Sequence, residues 1–581
     1  MVEPIQMATI VVIHPGSYWL RIGRATDTLP VTIPHVIARR HKANAQPKYE
    51  DKILNREGIL HKDSQTQREQ ALRMVDQAIW SRKTSEGLRR HTTPLQQVQA
   101  YNDLVTPQEL DEDSGMKWTD TNTHVDIAVG EEALYLKQTE QYSIHWPIRH
   151  GHFNLHPGPG GSMTAVLQDM EDIWGNCLQK NLNIPIKDLK HYRAILLVPD
   201  IYNRQHVKEL MNLLMIRLGF GAAIVHQESV MATFGCGVSS ACVVDIGDQK
   251  TSVCCVEDGI SHRNTRLCMT YGGADITRTF TWLLERAHFP YHECQPEKTM
   301  DALLLITLKE TFCHLDQDFD GASLLDFHVS YPNQPTLQYQ LKLGDETFQA
   351  PMGVFYPQLF GVVGEKMVYT QQRNQGDPDD IHDELYLLQT QSQQQQSTKV
   401  KPGNSGTNEC AINQPTEAVT VLPINQINNS SSQSQNDLLH HHTEETPPPA
   451  ISRRISTSQS LDKPLGLDQA ILHSIDCCSS DETKKKMYSC IIVLGGGISL
   501  FQGVTDMLQH RIQSKMPPSF RRAVEKVEVI CKAKDLDPRL NCWKGGSVLA
   551  CLDTTQELWI RQREWKKYGL KVLRERSPFV W

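Results

Sequence analysis

Three short glycine-bearing loops, each placed at the end of an apolar strand pattern, limit the fold of this chain more than any other feature. The first two belong to strand–turn–strand units over residues 10–23 and 241–256. The third is the glycine triplet 495–497, which follows the apolar run 490–494 and precedes apolar residues at helical spacing. Apolar strands on both sides of a tight polar turn are typical of β-hairpins. The sequence therefore predicts two related hairpins far apart in the chain and one strand–loop–helix unit.

The two hairpin turns indicate a phosphate-binding site. Backbone N–H groups in such turns form anion-sized concavities, and glycine lets a phosphate approach without a Cβ in between. The second turn also contains Asp245 and Asp248, and a carboxylate in that place can hold Mg²⁺ through water. The alternative for these aspartates is an Asx-turn that only caps the hairpin. Because a matching turn exists at Gly16 and Ser17, we favour a nucleotide cleft between two facing hairpins.

Size and charge limit the class of protein. At 581 residues the chain exceeds the size at which a single core stops growing, so two or more lobes are expected. A net charge of -8 gives no global basic field, which argues against general coating of nucleic acid. The 15 cysteines follow no ligand spacing and are interpreted as reduced, buried residues. We expect neither a signal peptide nor a membrane span.

Helices alternate with strands in the pattern of an α/β fold. Residues 166–182 predict an amphipathic helix, 194–199 a buried strand and 204–218 a second helix. Residues 40–120 are polar and helix-prone, which predicts an insertion. Residues 371–464 are rich in Gln, Ser and Asn and contain too little apolar surface to offset the entropy of ordering, so they are predicted to be a disordered insertion.

Several segments resemble the signature segments of actins, in the same order along the chain. They are residues 129–133, 145–151, 169–174, 244–248, 496–503 and 543–547 with Trp559-Ile560. The resemblance covers most of the chain outside the two predicted insertions. It implies an α/β, actin-like two-lobed ATPase fold with the nucleotide cleft between the lobes.

The resemblance also implies a division of the chain. Residues 1–30 and 151–255 are expected to form one lobe that carries both phosphate hairpins, and residues 31–150 a small upper subdomain that includes the polar insertion 40–120. Residues 256–370 and 465–581 are expected to form the second lobe, the latter segment carrying the adenosine loop and the closing C-terminal segment. The disordered insertion 371–464 interrupts this lobe.

The resemblance assigns nucleotide-binding roles to thirteen positions of this chain. They are Gly16, Ser17 and Tyr18 in the first phosphate loop; Asp245, Ile246, Gly247 and Asp248 in the second; Lys309 and Glu310 beside ribose and base; Gly496, Gly497 and Phe501 in the adenosine loop; and Arg539 against the base. Without the resemblance, Lys309 and Glu310 would be interpreted as a solvated helix face. Core packing is an equally good interpretation of Phe501.

Departures from the actin pattern predict slow hydrolysis. His14 stands where actins carry an aspartate, which leaves Asp245 as the remaining carboxylate for Mg²⁺, held through water. A neutral imidazole is a poor ligand for this hard cation. Tyr18 and Trp19 replace small residues and are expected to crowd the phosphates. Gln227 aligns with the glutamine that positions water in the family and is the one candidate catalytic residue.

The long insertions and the His14 loop are similar to those of the nuclear actin-related proteins of Ino-eighty type chromatin remodellers. This implies a nuclear, chromatin-associated scaffold that binds ATP or ADP with Mg²⁺, supports transcription regulation and DNA repair, and has at most a low basal ATPase activity. The implied partners are the remodeller motor subunit, actin and other actin-related proteins, and nucleosomes or histones, with no membrane. The alternative is a weak but functional ATPase of the actin, sugar-kinase and heat-shock superfamily that acts outside chromatin.

A basic strip near the C-terminus suggests duplex DNA, bound without sequence preference, as a further partner. Residues 559–581 contain seven basic residues and only two acidic ones, Glu564 and Glu575. Basic side chains along a helix can neutralise phosphates and give salt-sensitive binding. The alternative is an amphipathic helix whose aromatic face packs on the protein while its charges are only solvated.

Overall fold

The computed structural model describes residues 6–41, 51–54, 62–81, 91–110, 115–121, 126–319, 321–362, 366–370, 464–532 and 536–579. The strands, in chain order, are β1 Ile10–Pro15, β2 Trp19–Arg24, β3 Val31–Pro34, β4 Ile37–Arg40, β5 Gln108–Leu110, β6 Ile127–Val129, β7 Tyr142–His145, β8 Ile148–Arg149, β9 His152–Phe153, β10 Arg193–Val198, β11 Ala222–Gln227, β12 Ser240–Ile246, β13 Thr251–Glu257, β14 Ile260–Ser261, β15 Leu267–Met269, β16 Ser323–Val329, β17 Thr336–Leu343, β18 Val368–Thr370, β19 Ile491–Leu494, β20 Val529–Ile530 and β21 Ile560–Arg561.

The helices are α1 Lys62–Trp80, α2 Leu95–Asn102, α3 Glu131–Leu134, α4 Met163–Asn176, α5 Arg204–Asn212, α6 Glu228–Cys236, α7 Gly273–Arg286, α8 Thr299–Phe312, α9 Glu346–Gln349, α10 Leu467–Asp476, α11 Asp481–Ser489, α12 Val504–Lys515, α13 Pro518–Ala523, α14 Asn541–Ala550, α15 Gln562–Tyr568 and α16 Lys571–Arg576. Short turns of 3₁₀ and π type connect or extend several of them. Among the described residues, no helix is long and apolar enough to cross a membrane.

Two larger sheets organise the fold. The first has the strand order β21-β11-β10-β1-β2-β3, and the second has the order β18-β15-β13-β12-β19-β20 with β14 on β13. In each sheet a hairpin pairs in parallel with a later strand: β1 with β10, and β12 with β19. The predicted hairpins and the predicted α/β class are confirmed.

Sheet pairing differs from the division of the chain expected from sequence. The second hairpin, β12–β13, belongs to the second sheet, although the expected division groups residues 151–255 with the first hairpin. The C-terminal strand β21 pairs with β11 of the first sheet, although residues 465–581 are expected in the second lobe. The physical reason is that long-range strand pairing decides membership of a sheet, and sequence order does not record it. The domain boundaries themselves stay predictions.

Helix predictions on either side of β10 are confirmed with changed ends. The helix predicted over 166–182 is α4, continued by a π-type turn over Cys177–Asn181. The helix predicted over 204–218 is α5, continued by a π-type turn over Leu213–Leu218. Gly219 then adopts a φ of 84° and ends the second helix, a left-handed conformation that glycine reaches at little cost.

The two predicted insertions have different outcomes. The described parts of 40–120 include α1, α2 and β5, and Ala71, Val75 and Val98 of the two helices are buried in the core. This region therefore packs against the rest of the fold through apolar side chains. Residues 371–463 of the other insertion lie outside the described residues.

A close contact between α6 and α14 joins the two sheets. At Gly545 an added Cβ would lie 1.8 Å from the carbonyl oxygen of Met231, so only glycine lets the helices approach this closely. The fully buried Trp543 donates from Nε1 to the carbonyl of Val12 at 3.1 Å. The buried cluster around it includes Ile10 of the first sheet and Val243 of the second. Both hairpins are thereby fixed to a common core.

Candidate functional site

The three glycine loops converge on one cavity of about 300 Å³. The first loop is the turn between β1 and β2, the second is the turn between β12 and β13, and the third follows β19. Because β12 and β19 run in parallel as neighbours, their carboxyl ends meet at the same edge of the sheet. That edge is the common place for ligand sites in α/β sheets.

Twelve of the thirteen predicted nucleotide-binding residues line this cavity. They are Gly16, Ser17, Tyr18, Asp245, Gly247, Asp248, Lys309, Glu310, Gly496, Gly497, Phe501 and Arg539. The exception is Ile246, which is fully buried and whose carbonyl accepts the N–H of Gly497 at 2.8 Å. Its side chain is directed away from the cavity, because side chains alternate between the two faces of a strand. The binding roles themselves stay predictions.

Glycine is required where the second and third loops touch. An added Cβ on Gly495, whose φ is 85°, would lie 2.2 Å from the carbonyl oxygen of Ile246. The same atom on Gly497 would lie 2.5 Å from Cγ2 of Ile246. Both distances are far below contact distance. The loops can therefore form one continuous wall only with glycine at these positions.

Two of the turn amides are used to close the hairpins. The N–H of Gly16 donates to the carbonyl of Trp19 at 2.8 Å, and the N–H of Gly247 donates to the carbonyl of Lys250 at 2.9 Å. These two groups are therefore not available to an anion, in contrast to the sequence-based expectation of open turn amides. Positive charge at the cavity comes instead from the side chains of Arg21, Lys250, Lys309 and Arg539.

A buried charge network occupies the phosphate end of the cavity, which we define as the part lined by His14, Gly16, Ser17, Glu228, Asp245 and Lys250. Glu228 Oε2 accepts from Lys250 Nζ at 2.8 Å, and Glu228 Oε1 lies 3.3 Å from His14 Nε2. Burial alone would raise the pKa of Glu228, but Lys250 and His14 outweigh it and lower that pKa below its usual value. Burial raises the pKa of Asp245, and the charge of Glu228 adds to the increase.

Three charged residues of the cavity lining are absent from the sequence-based assignment: Arg21, Glu228 and Lys250. Arg21 lies on β2 directly opposite His14, and its Nε is buried without a hydrogen-bond partner among the described residues. A single charged residue within the otherwise apolar run 19–22 was the signal for it. Glu228 and Lys250 carry no comparable signal, since their partnership depends on the pairing of two distant segments.

Gln227 does not reach the cavity. Its side chain is fully buried, and its Nε2 donates to the carbonyl of Asp200 at 3.2 Å. Its Oε1 accepts from Ser261 Oγ at 2.9 Å and from Arg266 Nη2 at 3.4 Å. The next residue, Glu228, lines the cavity instead. A water-positioning role for Gln227 would require these three hydrogen bonds to break.

Asp248 and Lys309 form a pair of opposite charges in the middle of the cavity. Lys309 is 3% exposed, which excludes a solvated helix face for this residue, whereas the side chain of Glu310 is 56% exposed. One carboxylate oxygen of Asp248, Oδ2, is buried without a hydrogen-bond partner among the described residues. Burial raises the pKa of Asp248, against the pull of Lys309. A buried acceptor of this kind fits a ligand that donates a hydrogen bond, such as a hydroxyl group.

The opposite end of the cavity is formed by Gly496, Phe501 and Arg539. Asp537 accepts from Arg539 Nη2 at 2.7 Å and from Nε at 2.9 Å, which fixes the guanidinium. The stem of Arg539 covers Gly496, since an added Cβ there would lie 3.5 Å from Arg539 Cδ. Phe501 is 7% exposed and belongs to the main core, so it both packs in the core and lines the cavity.

Comparison with known proteins identifies the family. The family model described as Actin matches residues 5–385 and 403–578. Actin-related protein 8 of Salmo salar is 58% identical over 586 residues, covering 99% of this chain and 93% of the relative. The human protein of that name is 57% identical over 583 residues with the same coverage, and the Aedes aegypti protein is 39% identical, covering 100% of this chain and 99% of the relative.

A solved structure leads to the same family. The structure of human actin-related protein Arp8 in its ATP-bound state superposes with a TM-score of 0.83 at 52% identity. The match covers 100% of this chain and 98% of the human one. Together with the three converging glycine loops, these matches confirm the predicted fold. The chain belongs to the actin family and is similar along its whole length to the actin-related protein 8 members of that family.

Proposed function

We propose that the cavity binds ATP or ADP and that the chain acts as a nucleotide-stabilised scaffold with little hydrolysis. The observation that carries this proposal is the convergence of both hairpin turns and the third glycine loop on one cavity lined by four cationic side chains, those of Arg21, Lys250, Lys309 and Arg539. Phosphates fit between the turns at Gly16 and Gly247, beside Arg21 and Lys250. The ribose fits beside Asp248, whose unpartnered Oδ2 can accept a hydrogen bond from a ribose hydroxyl, and the base fits beside Arg539.

The solved structure of the human relative supports ATP as the ligand, because that protein was observed in its ATP-bound state and resembles this chain at 52% identity. Slow hydrolysis is supported by the geometry. His14 replaces the aspartate of actins, and the amide of Gln227 is directed away from the cavity toward Asp200, Ser261 and Arg266. Preorganised groups that stabilise developing charge contribute much of the rate in such reactions. With the aspartate replaced by His14 and Gln227 directed away from the cavity, we expect ATP to bind but to be hydrolysed slowly.

The cellular role follows from the family resemblance. We propose that the chain is a nuclear subunit of an Ino-eighty type chromatin-remodelling complex, where it contacts the motor subunit, actin, other actin-related proteins and nucleosomes. Through this complex it would support transcription regulation and DNA repair. The alternative of a weak ATPase acting outside chromatin would be favoured by robust phosphate release.

The first prediction concerns nucleotide-dependent stability of the full chain. A ligand that binds only the folded state stabilises it by about 2.7 kcal/mol at a hundredfold excess over its Kd. We therefore expect the melting temperature to rise with added ATP and to saturate, while phosphate release in the same samples stays far below the ~1 s⁻¹ at the low end of enzyme turnover. Scanning fluorimetry and a phosphate assay measure both. A melting temperature that does not change when ATP is added would contradict nucleotide binding.

The C-terminal basic strip supports a second contact, with duplex DNA. Trp565 is 4% exposed and donates from Nε1 to Asn212 Oδ1 at 3.0 Å, so this aromatic residue packs on the protein as the structural alternative requires. The neighbouring charges of α15 remain exposed, namely Arg563, Lys566 and Lys567. The helix is therefore both anchored by its apolar face and able to present cations outward.

Reversal of Arg563, Lys566 and Lys567 to glutamate is expected to weaken binding of duplex DNA. Each lost phosphate contact lowers the slope of log affinity against log salt by about 0.9. Fluorescence anisotropy across a salt titration measures the slope. The control reverses three exposed basic residues elsewhere, Lys485, Arg522 and Lys526, and should leave both affinity and slope unchanged. Equal slopes for the wild type and the strip variant would show that these basic side chains are only solvated and do not contact DNA.

A further inference from the structure

The phosphate end of the cavity contains a fixed cation of its own, Lys250. Its side chain is 13% exposed, and its Nζ donates to Glu228 Oε2 at 2.8 Å. The aliphatic stem packs against Gly151, where an added Cβ would lie 2.8 Å from Lys250 Cδ. The ammonium is therefore held in one place by an ion pair at its tip and by close packing along its stem.

The groups around Lys250 do not fit the Mg²⁺ site expected from the sequence. Mg²⁺ prefers a near-octahedral shell of oxygen ligands, mostly carboxylates, phosphates and water. Both oxygens of Glu228 already face cationic or imidazole nitrogens, those of Lys250 and His14. Asp245 is then the remaining carboxylate of the phosphate end, and the charge of Lys250 acts on it directly. A divalent ion placed beside Asp245 would be repelled by the neighbouring ammonium.

An ammonium group has three N–H donors, and Glu228 takes one of them. The others are available to phosphate oxygens in the cavity that Lys250 lines. Arg21 adds a second buried cation in the same region. Burial would lower the pKa of Lys250, but Glu228 outweighs it and raises that pKa, so the side chain stays charged.

We propose that Lys250 takes the place of the metal ion and that this chain binds ATP without requiring Mg²⁺. The inference rests on the proposed nucleotide binding and concerns how the same cavity neutralises the phosphates. Arg21 assists Lys250, and Glu228 orients its ammonium toward the ligand. His14 belongs to the same network, because it holds the second oxygen of Glu228.

Isothermal titration of ATP into the full chain, with Mg²⁺ and with a chelator, tests this proposal. We expect the wild type to bind with similar affinity in both conditions. Lys250→Met should lower the affinity in chelator by at least about tenfold, as expected for the loss of a hydrogen bond to a charged group. Lys250→Arg should keep most of the chelator-resistant binding, because it retains the charge. Lys486→Met removes a lysine–glutamate pair that lies outside the cavity lining and is more exposed than that of Lys250, and it should change neither affinity.

A buried Glu228 without its partner could unfold the single variant, so Glu228→Gln with Lys250→Met is tested beside it. This pair removes both charges, and it too should lose chelator-resistant binding while keeping the circular dichroism of the wild type. Binding of ATP by the wild type only in the presence of Mg²⁺ would overturn the inference and leave the proposed function standing. Unchanged binding in chelator by Lys250→Met and by the double variant would overturn it as well. Absence of binding in both conditions would overturn the proposed function itself.

Discussion

Replacing Lys309 with methionine is expected to abolish the stabilisation of the chain by ATP. The ammonium of Lys309 is 3% exposed within the cavity, and its charge lowers the pKa of Asp248 against the effect of burial. Its loss removes the cation that stabilises the buried Asp248 carboxylate most, beside the proposed ribose. Truncating one partner of a buried charge pair at a binding site costs about 2–5 kcal/mol. The affinity should therefore fall by at least about thirtyfold, measured by isothermal titration of ATP.

Lys298→Met is the matched control, because Lys298 precedes the same helix, α8, and is exposed outside the cavity. It should bind ATP as the wild type does. If Lys309→Met binds ATP with unchanged affinity while remaining folded, the cavity between the three loops is not the nucleotide site.

Replacing Trp543 with alanine is expected to give the largest loss of stability. Trp543 is fully buried, and its ring packs against Gly23, where an added Cβ would lie 2.8 Å from Trp543 Cζ2. Its Nε1 hydrogen bond to Val12 ties α14 to the strand that leads into the first loop. Large-to-small changes of tryptophan in a core cost about 3–5 kcal/mol. Chemical denaturation without nucleotide should show this decrease in the free energy of unfolding.

Trp80→Ala provides the comparison, since Trp80 lies at the end of α1 and is 60% exposed. A surface change of this kind is usually within about 0.5 kcal/mol of the wild type. If Trp543→Ala unfolds at nearly the same denaturant concentration as Trp80→Ala, the two sheets do not depend on this residue for their common core.

Much of the site could be predicted because its components are local. A hairpin and its turn are encoded in consecutive residues, so the loops at Gly16 and Gly247 were recognisable from alternation and turn residues alone. The resemblance to actins then related these loops to Lys309 and Arg539, which no local pattern connects. Of the thirteen expected nucleotide-binding residues, Ile246 is the one that does not line the cavity. Side chains alternate between the two faces of a strand, and that of Ile246 is buried in the core.

The partners of buried charges could not be predicted in the same way. Glu228 and Lys250 are 22 residues apart in sequence, and their ion pair joins the residue after β11 of the first sheet to the turn after β12 of the second. Gln227 presents the reverse case, since its position in the sequence agrees with a catalytic role while its hydrogen bonds direct it away from the cavity. The same long-range pairing places β13 in the second sheet and β21 in the first, which the order of residues along the chain does not reveal.

Native mass spectrometry of the full chain with added ATP tests the central claim, that this cavity holds one adenine nucleotide, most directly. We expect a single bound ATP or ADP per chain for the wild type and for Lys298→Met, and none for Lys309→Met at the same concentration. A wild-type chain that carries no nucleotide at saturating ATP, or a Lys309→Met variant that carries as much as the wild type, would contradict it.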